Sequence, residues 1–339
     1  MKRPRLTQRD VAERAGVSQA AVSYVLNGTN MGSVSSETRR RVLAAIEELG
    51  YVPDGVARGM RTGRSMLIGS VIPDITNPFY PAFQRGMQDV ADSAGYSLVT
   101  FNSDGNRDRE LASIRAALQC KVDGLLVSLF ETTTHDLAFL LARDIPVVAY
   151  GEMIDTPTPL PFDLIEIDIP RAIEDVVGYL HERGHTAIAL VDGPILPARS
   201  NPRLAAYKMA LEARGLSVDE RLILRTDFSE QGGHAAMDRL FRLRPRPTAV
   251  IAGNDLIAMG LLAGAEERGV RVPADLAIVG YDDIPAARLL RPALTTVALH
   301  PERIGARAAE LLLERLAGNA GRERRSEVLP HELVIRDSA

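Results

Sequence analysis

The run LTQRDVAERAGVSQAAVSYVLN, from Leu6 to Asn27, reads as two short helices joined by a tight turn. Thr7 opens the first helix: its hydroxyl can satisfy a backbone N–H that has no helical partner, and Asp10, three residues on, can reach back in a capping box. Val11, Ala12 and Ala15 form one apolar stripe, and Gly16 supplies the left-handed conformation that ends a helix. Ser18 caps the second helix, in which Val22, Val25 and Leu26 recur at i, i+3 and i+4 and bury one face. The opposite face carries Gln19, Ala20, Ser23 and Tyr24, small or polar residues near the helix N-terminus. That is the end a recognition helix pushes into a DNA major groove.

Working outward, Ser35 or Ser36 caps a third helix, Glu37 to Leu49, whose Val42, Leu43, Ile46 and Leu49 would close a three-helix head. Its first turn holds Arg39, Arg40 and Arg41. Residues 1–64 carry eleven Lys and Arg against six Asp and Glu, a net of +5, which leaves −9 on the rest of a chain whose total is −4. A basic head on an acidic body is the asymmetry expected of a phosphate grip confined to one end.

At 339 residues the chain is too long for one ordinary core and suits a head plus a two-lobed body. Hydrophobic residues make up 46% and charged residues 25%, as in soluble globular proteins. With no apolar run of about 18 residues, no signal-peptide pattern and the single cysteine Cys120, a cytoplasmic location and no membrane partner are expected.

From Ser65 on, apolar runs of strand length alternate with helical patterns. Strands are expected at Met66 to Ile72, Tyr96 to Phe101, Gly124 to Ser128 and Pro146 to Ala149, with helices near Phe79 to Ala94, Asp108 to Gln119 and His135 to Arg143. After the Pro-rich stretch Thr156 to Pro161 a second series runs from strand Leu164 to Ile167 through strand Leu276 to Tyr281. The fold class read from this is a small all-α helix-turn-helix head plus an α/β body of two doubly wound parallel-sheet lobes, with ligand contacts at the C-terminal ends of strands. The boundaries are 1–50 for the head, 51–64 for a hinge and 65–339 for the body. Lobe one is placed at about 65–162 and 294–323, lobe two at about 163–291 and 325–339.

The runs DVAERAGVSQAAVSYVLNG and VSSETRRRVLAAIEELGYVPDGVARGM, followed by IPDITNPFY, GVRVPADLAIVGYDD and RPALTTV, resemble the lactose-repressor/galactose-repressor (LacI/GalR) family of bacterial transcription factors. Separated motifs in the right order extend the resemblance over nearly the whole chain. It implies a periplasmic-binding-protein-like body and a homodimer on a near-palindromic operator in double-stranded DNA, with a small-molecule effector, a sugar being the first expectation and a purine or other metabolite the alternative. The genes under control would then be those of carbohydrate use. The chain ends soon after Ile335 without a heptad helix, so a dimer is expected rather than a tetramer.

On that resemblance Gln19, Ala20 and Tyr24 read bases, while Thr7, Ser18, Ser23, Asn27 and Arg39, within the Arg39 to Arg41 cluster, position the head. The segment VARGM, with Ala57 and Met60, matches a hinge helix that orders in the minor groove. There the family wedges a leucine into a base step, and this chain has Met60 at that position. In the body, Phe79 and Tyr80 offer ring faces, Arg203 a cation, and Asn254 and Asp282 the acceptors and donors a polyol needs. Asp255 is expected to cap the helix that follows Asn254, and Asp283 to be structural. Where the family often has an aspartate after Tyr150 this chain has Gly151, with Glu152 beside it.

The run HERGH, His181 to His185, matches a zinc-protease pattern, but Gly184 ends the helix before His185 can join His181 on one face, so no metal site is expected. There is no Walker loop, GxGxxG or GxSxG, so neither a cofactor nor enzymatic activity is expected. A secreted solute-binding protein would share the body but not the basic head.

Overall fold

The structure, a computed structural model, describes residues 6–27, 31–53, 59, 63–151, 162–194, 201–321 and 323–339. The head forms one compact unit, Met1–Ser65, and the body a second, Met66–Ala339.

In the head, α1 (Gln8–Ala15), α2 (Gln19–Asn27) and α3 (Ser36–Leu49) enclose a small core of Val11, Ala12, Ala15, Val22, Val42 and Ala45. The Asp10 carboxylate accepts from the Thr7 amide at 2.7 Å and the Thr7 hydroxyl at 2.8 Å, and Gly16 is left-handed at φ 62°. Ser18 accepts from the Ala21 amide, and Ser35, not Ser36, caps α3. Two details differ from the periodic reading. Leu43 is 49% exposed because Ala45 takes its place in the core, and Tyr51, read as the start of the hinge, is buried with the head residues.

The body contains two six-stranded sheets. The first joins β1 (Leu67–Ile72), β2 (Ser97–Asn102), β3 (Gly124–Ser128), β4 (Val147–Tyr150), β5 (Asp163–Ile167) and β11 (Ser326–Leu329) in the order β11-β5-β4-β3-β1-β2. The second joins β6 (Ile188–Asp192), β7 (Ile223–Arg225), β8 (Ala249–Ala252), β9 (Ala277–Asp282), β10 (Thr295–Ala298) and β12 (Glu332–Val334) in the order β12-β10-β9-β8-β6-β7. All pairs are parallel except β10 with β12. The helices are α4 (Phe79–Ser93), α5 (Arg107–Gln119), α6 (Ala138–Leu141), α7 (Ile169–Glu182), α8 (Pro202–Glu212), α9 (Glu230–Arg242), α10 (Asp255–Glu267) and α11 (Pro301–Leu316).

The lobe boundaries expected from sequence need correction at three strands. The strand at 163–167 belongs to lobe one, where Leu164 lies opposite Ala149 and Ser326 opposite Leu164. The strand at 295–298 belongs to lobe two, and that at 326–329 returns to lobe one. In lobe one a buried charge cluster ties the strands at 163–167 and 326–329 together: Asp163, fully buried, accepts two bonds from Arg315 of α11, at 2.6 and 2.9 Å, and two from Arg325, at 2.9 and 3.0 Å. Burial alone would raise the Asp163 carboxyl, but Arg315 and Arg325 hold it below its usual value. A second difference is the helix expected from His135 to Arg143, which is a single turn, because Thr133 and Asp136 bond to each other in a local turn just before it.

Each lobe is welded by one helix crossing at backbone contact. A Cβ on Gly86 of α4 would run into the Glu302 carbonyl of α11, and one on Gly305 into that of Phe83. In lobe two, Gly233 of α9 and Gly260 of α10 face each other's backbone in the same way. No described helix is long and apolar enough to cross a membrane.

Gly86→Ala tests the first crossing. In an open helix the change would stabilise by about 1 kcal/mol. Here overpacking is expected to cost about 1–3 kcal/mol and to lower the thermal transition in scanning calorimetry; a raised transition would show that the helices do not meet at their backbones.

Candidate functional site

The head carries the first candidate surface. Gln19 and Ala20 are exposed and Ser23 and Tyr24 half-buried on α2, opposite the Val22 face. The arginines of α3 have separate roles. Arg40 pairs with Glu37 at 2.7 Å, and Arg41 turns inward to donate to the carbonyls of Ala15 and Gly16, closing the end of α1. Arg14 pairs with Glu48. Arg9 and Arg39 are exposed with no ion pair among the described residues, which leaves both available to phosphate. Ala57, Met60, Glu152 and the side chain of Asn27 lie outside the described residues.

The second candidate is the cleft between the two sheets of the body, into which the strands deliver their last residues. Asp192 ends β6 and is 1% exposed. Its carboxylate accepts from Asn201 at 3.0 Å, Arg203 at 2.9 Å and Arg225 at 3.0 Å, and Gly253 is side-chain-free where a Cβ would meet it. Burial would raise this carboxyl, but Arg203, Asn201 and Arg225 hold it below the ordinary value. Arg203, in the first turn of α8, also lies over the Tyr281 ring at 4.6 Å.

Phe79 stacks on Tyr150, centroids 5.8 Å apart and planes at 17°, and meets Tyr80 edge-on at 5.2 Å. Asn77, largely buried, accepts from the Phe79 amide at 3.1 Å. With Tyr281 and Asp282 these rings line a cavity of about 170 Å³ that also reaches Arg203 and Asn254. The structure therefore brings all five sequence-predicted effector residues to the lining of one cavity, Phe79 and Tyr80 from lobe one and Arg203, Asn254 and Asp282 from lobe two.

The cap expected at Asp255 is corrected, while Asn254 keeps its place on the cavity. Asn254, not Asp255, caps α10, accepting from the Ile257 amide at 2.8 Å. Asp255 is fully buried and accepts from the Thr296 hydroxyl at 2.6 Å and the Ile284 amide at 2.8 Å, its pKa pushed up to about 7 by burial. Asp283 pairs with Arg336 at 2.7 Å. Asp282 has φ 112° and Asp283 φ 53°, two consecutive non-glycine residues in left-handed backbone at the rim of the cavity. Burial, and then nearby Asp255, push the Asp282 carboxyl well above its ordinary value, with Arg203 opposing.

Sequence reading missed Asp192, Arg225, Tyr150, Phe130 and Phe228. The signal was available: each lies at or within three residues of the C-terminal end of a strand, where doubly wound sheets place ligand contacts. In the HERGH run the two histidines do not share a helical face: α7 ends at Glu182, Gly184 is left-handed at φ 87°, and His185 lies within hydrogen-bond distance of the Thr248 hydroxyl.

A three-helix head with a solvent-facing recognition face and a two-lobed body with a ring-lined, charged cleft define a DNA-binding regulator that answers to a small molecule. Residues 7–54 match the bacterial regulatory proteins of the lacI family, and residues 177–339 a periplasmic binding protein-like domain. The chain is 38% identical to the HTH-type transcriptional repressor PurR of Proteus mirabilis (strain HI4320), over 98% of this chain and 96% of that one. Among solved structures it is similar to the lac repressor dimer bound to operator and the anti-inducer ONPF (TM-score 0.85, 28% identity, 98% of both chains). It is also similar to a complex of the transcriptional regulator CelR with cellobiose (TM-score 0.74, 31% identity, 99% of this chain and 100% of that one). The chain belongs to the LacI family. It is a DNA-binding transcriptional repressor with a small-molecule effector, and its relatives are repressors, not enzymes.

Two measurements separate structural from functional charge. Arg39→Ala is expected to weaken operator and random DNA alike and to reduce the salt slope of binding by about 1 per head. Arg41→Ala should instead lower the thermal stability of the head; a changed salt slope at unchanged stability would place Arg41 on phosphate. In the body, Asp192→Ala strands two guanidiniums and is expected to cost about 3–5 kcal/mol in denaturant unfolding. Because the folded Asp192 pKa is depressed, its contribution is present at neutral pH and lost as pH falls through the carboxylate range, so the gap between wild type and variant should close in acid.

Proposed function

We propose that the protein acts as a homodimer in the cytoplasm on a near-palindromic operator and represses carbohydrate-utilisation genes under control of a sugar bound in the body cleft. Each head reads one half-site through Gln19, Ala20 and Tyr24, with Thr7, Ser18, Ser23, Asn27 and Arg39 setting its register on the backbone. Ala57 and Met60 act in the minor groove. The observation that carries the effector reading is the lining of the cavity: the rings of Phe79, Tyr80, Tyr150 and Tyr281 beside Arg203, Asn254 and Asp282. Sugars present apolar C–H faces to rings and hydroxyls to such polar groups. The Arg203 Nε is buried with no hydrogen-bond partner among the described residues, a donor that a hydroxyl oxygen would satisfy. The solved complex of a 31%-identical regulator with cellobiose supports the same class.

Binding that changes the angle between the lobes shifts the population competent for operator. The test is selection on random duplexes, with and without sugars, sugar phosphates and nucleobases. An enriched palindrome weakened or strengthened by a sugar is expected, and Gln19→Ala should change the enriched bases. A response to nucleobases alone would replace the sugar reading, and an unchanged base preference in Gln19→Ala would remove Gln19 from readout.

A further inference from the structure

Asp282, the last residue of β9, and Asp283 after it have φ 112° and 53°. A left-handed backbone at two successive non-glycine residues is strained, and it persists only where the surroundings impose it. Here it lies at the rim of the cavity that Asp282 lines.

The group that imposes it is Asp255. It is fully buried at the start of α10, and its carboxylate accepts from the Ile284 amide at 2.8 Å, just after the strained pair, and from the Thr296 hydroxyl of β10 at 2.6 Å. A backbone bond from Tyr281, just before the pair, reaches the same carboxylate. Asp255 therefore grips the chain on both sides of Asp282 and Asp283. Gly280 makes the room for it, since a Cβ there would run into the Asp255 Oδ1. Asp283 is tied in turn: the Arg336 guanidinium pairs with it at 2.7 Å and donates to the Leu294 carbonyl at 2.8 Å, while the Arg336 amide donates to the Thr295 hydroxyl at 2.9 Å.

A carboxyl in this place is unfavourable by itself. Asp255 makes no ion pair among the described residues, and burial pushes its carboxyl up to about 7 against the bonds from Thr296 and Ile284. Helix capping does not account for it, because Asn254 caps α10. What the carboxylate does hold is the backbone on either side of Asp282.

We propose that Asp255 is the positioning residue of the effector site: by bonding the chain on both sides of Asp282 it imposes the backbone that presents the Asp282 carboxyl to the cavity, and so sets effector affinity without touching the effector. This rests on the reading of Asp282 as an effector contact. Neither Asp255 nor Thr296 is among the residues that line the cavity, so an effect of either on affinity passes through the backbone of Asp282.

The test takes the full-length protein through crystal structures and calorimetric titrations with ribose and cellobiose, in the wild type and in Asp255→Ala, Asp255→Asn, Thr296→Val and Asp282→Ala. In Asp255→Asn the amide oxygen can accept from Ile284 while the NH2 donates to the Thr296 oxygen, so Asp282 should keep its left-handed backbone and affinity should stay within about threefold. Asp255→Ala removes both bonds; Asp282 is expected to leave that backbone and affinity to fall about tenfold or more, as in Asp282→Ala. Thr296→Val removes one bond with little change of shape, is expected to lose about threefold to tenfold, and takes the place of Asp255→Ala if that chain does not fold. An unmoved Asp282 in Asp255→Ala, a moved Asp282 with wild-type affinity, or an equal loss in Asp255→Asn and Asp255→Ala would overturn the positioning role. Wild-type affinity in Asp282→Ala would overturn the reading of Asp282 beneath it. No binding of either sugar by the wild type would overturn the sugar reading, and the backbone of Asp282 in the crystal structures would then decide the role of Asp255.

Discussion

The cleft depends on one buried carboxylate. Asp192 is almost fully enclosed at the end of β6, and it is what makes two largely buried guanidiniums tolerable beside it. A guanidinium in that environment without a partner would be strongly destabilising. By fixing Arg203 against the Tyr281 face, Asp192 also sets where a ligand can accept a hydrogen bond. Asp282, close to the same cation, is driven the other way by burial and resists ionisation. Two carboxyls tuned in opposite directions leave one ionised acceptor that anchors the guanidiniums and one carboxyl that can both donate and accept toward a hydroxylated ligand.

Rigidity around the cleft comes from glycine. Gly86 with Gly305, and Gly233 with Gly260, let the helices of each lobe approach to backbone contact, so each lobe is a stiff body. The chain passes between lobes after Ile167, after Ala298 and after Leu329. Three such connections are the places where a hinged pair of lobes bends. The Asp163 cluster sits at the lobe-one side of these passages, tying β5 to α11 and to the strand that returns.

The head was almost wholly legible from sequence, since caps, helix ends and the apolar stripe are decided within a few residues of each other. Thr7 with Asp10, the left-handed Gly16 and the Ser35 cap all appear where spacing places them. The exceptions are instructive: Arg41 looked like one more phosphate contact until its distance from Gly16, across 25 residues of chain, became a hydrogen bond. In the body, the alternation of strands and helices was equally readable, as were Phe79, Tyr80, Arg203, Asn254 and Asp282 as cleft residues.

Sequence by itself determined the elements, their order and the residues that strand ends deliver to the cleft, because periodicity, capping and turn chemistry act over a few residues. Tertiary structure alone decided which lobe owns the strands at 163–167, 295–298 and 326–329, that Asn254 caps while Asp255 is buried, and that Asp192 anchors Arg203 and Arg225. Those outcomes rest on partners as far apart as Asp163 and Arg315, or Asp255 and Thr296. A buried charge or polar group takes whichever partner the fold brings within about 3 Å, and local pattern carries no trace of that choice.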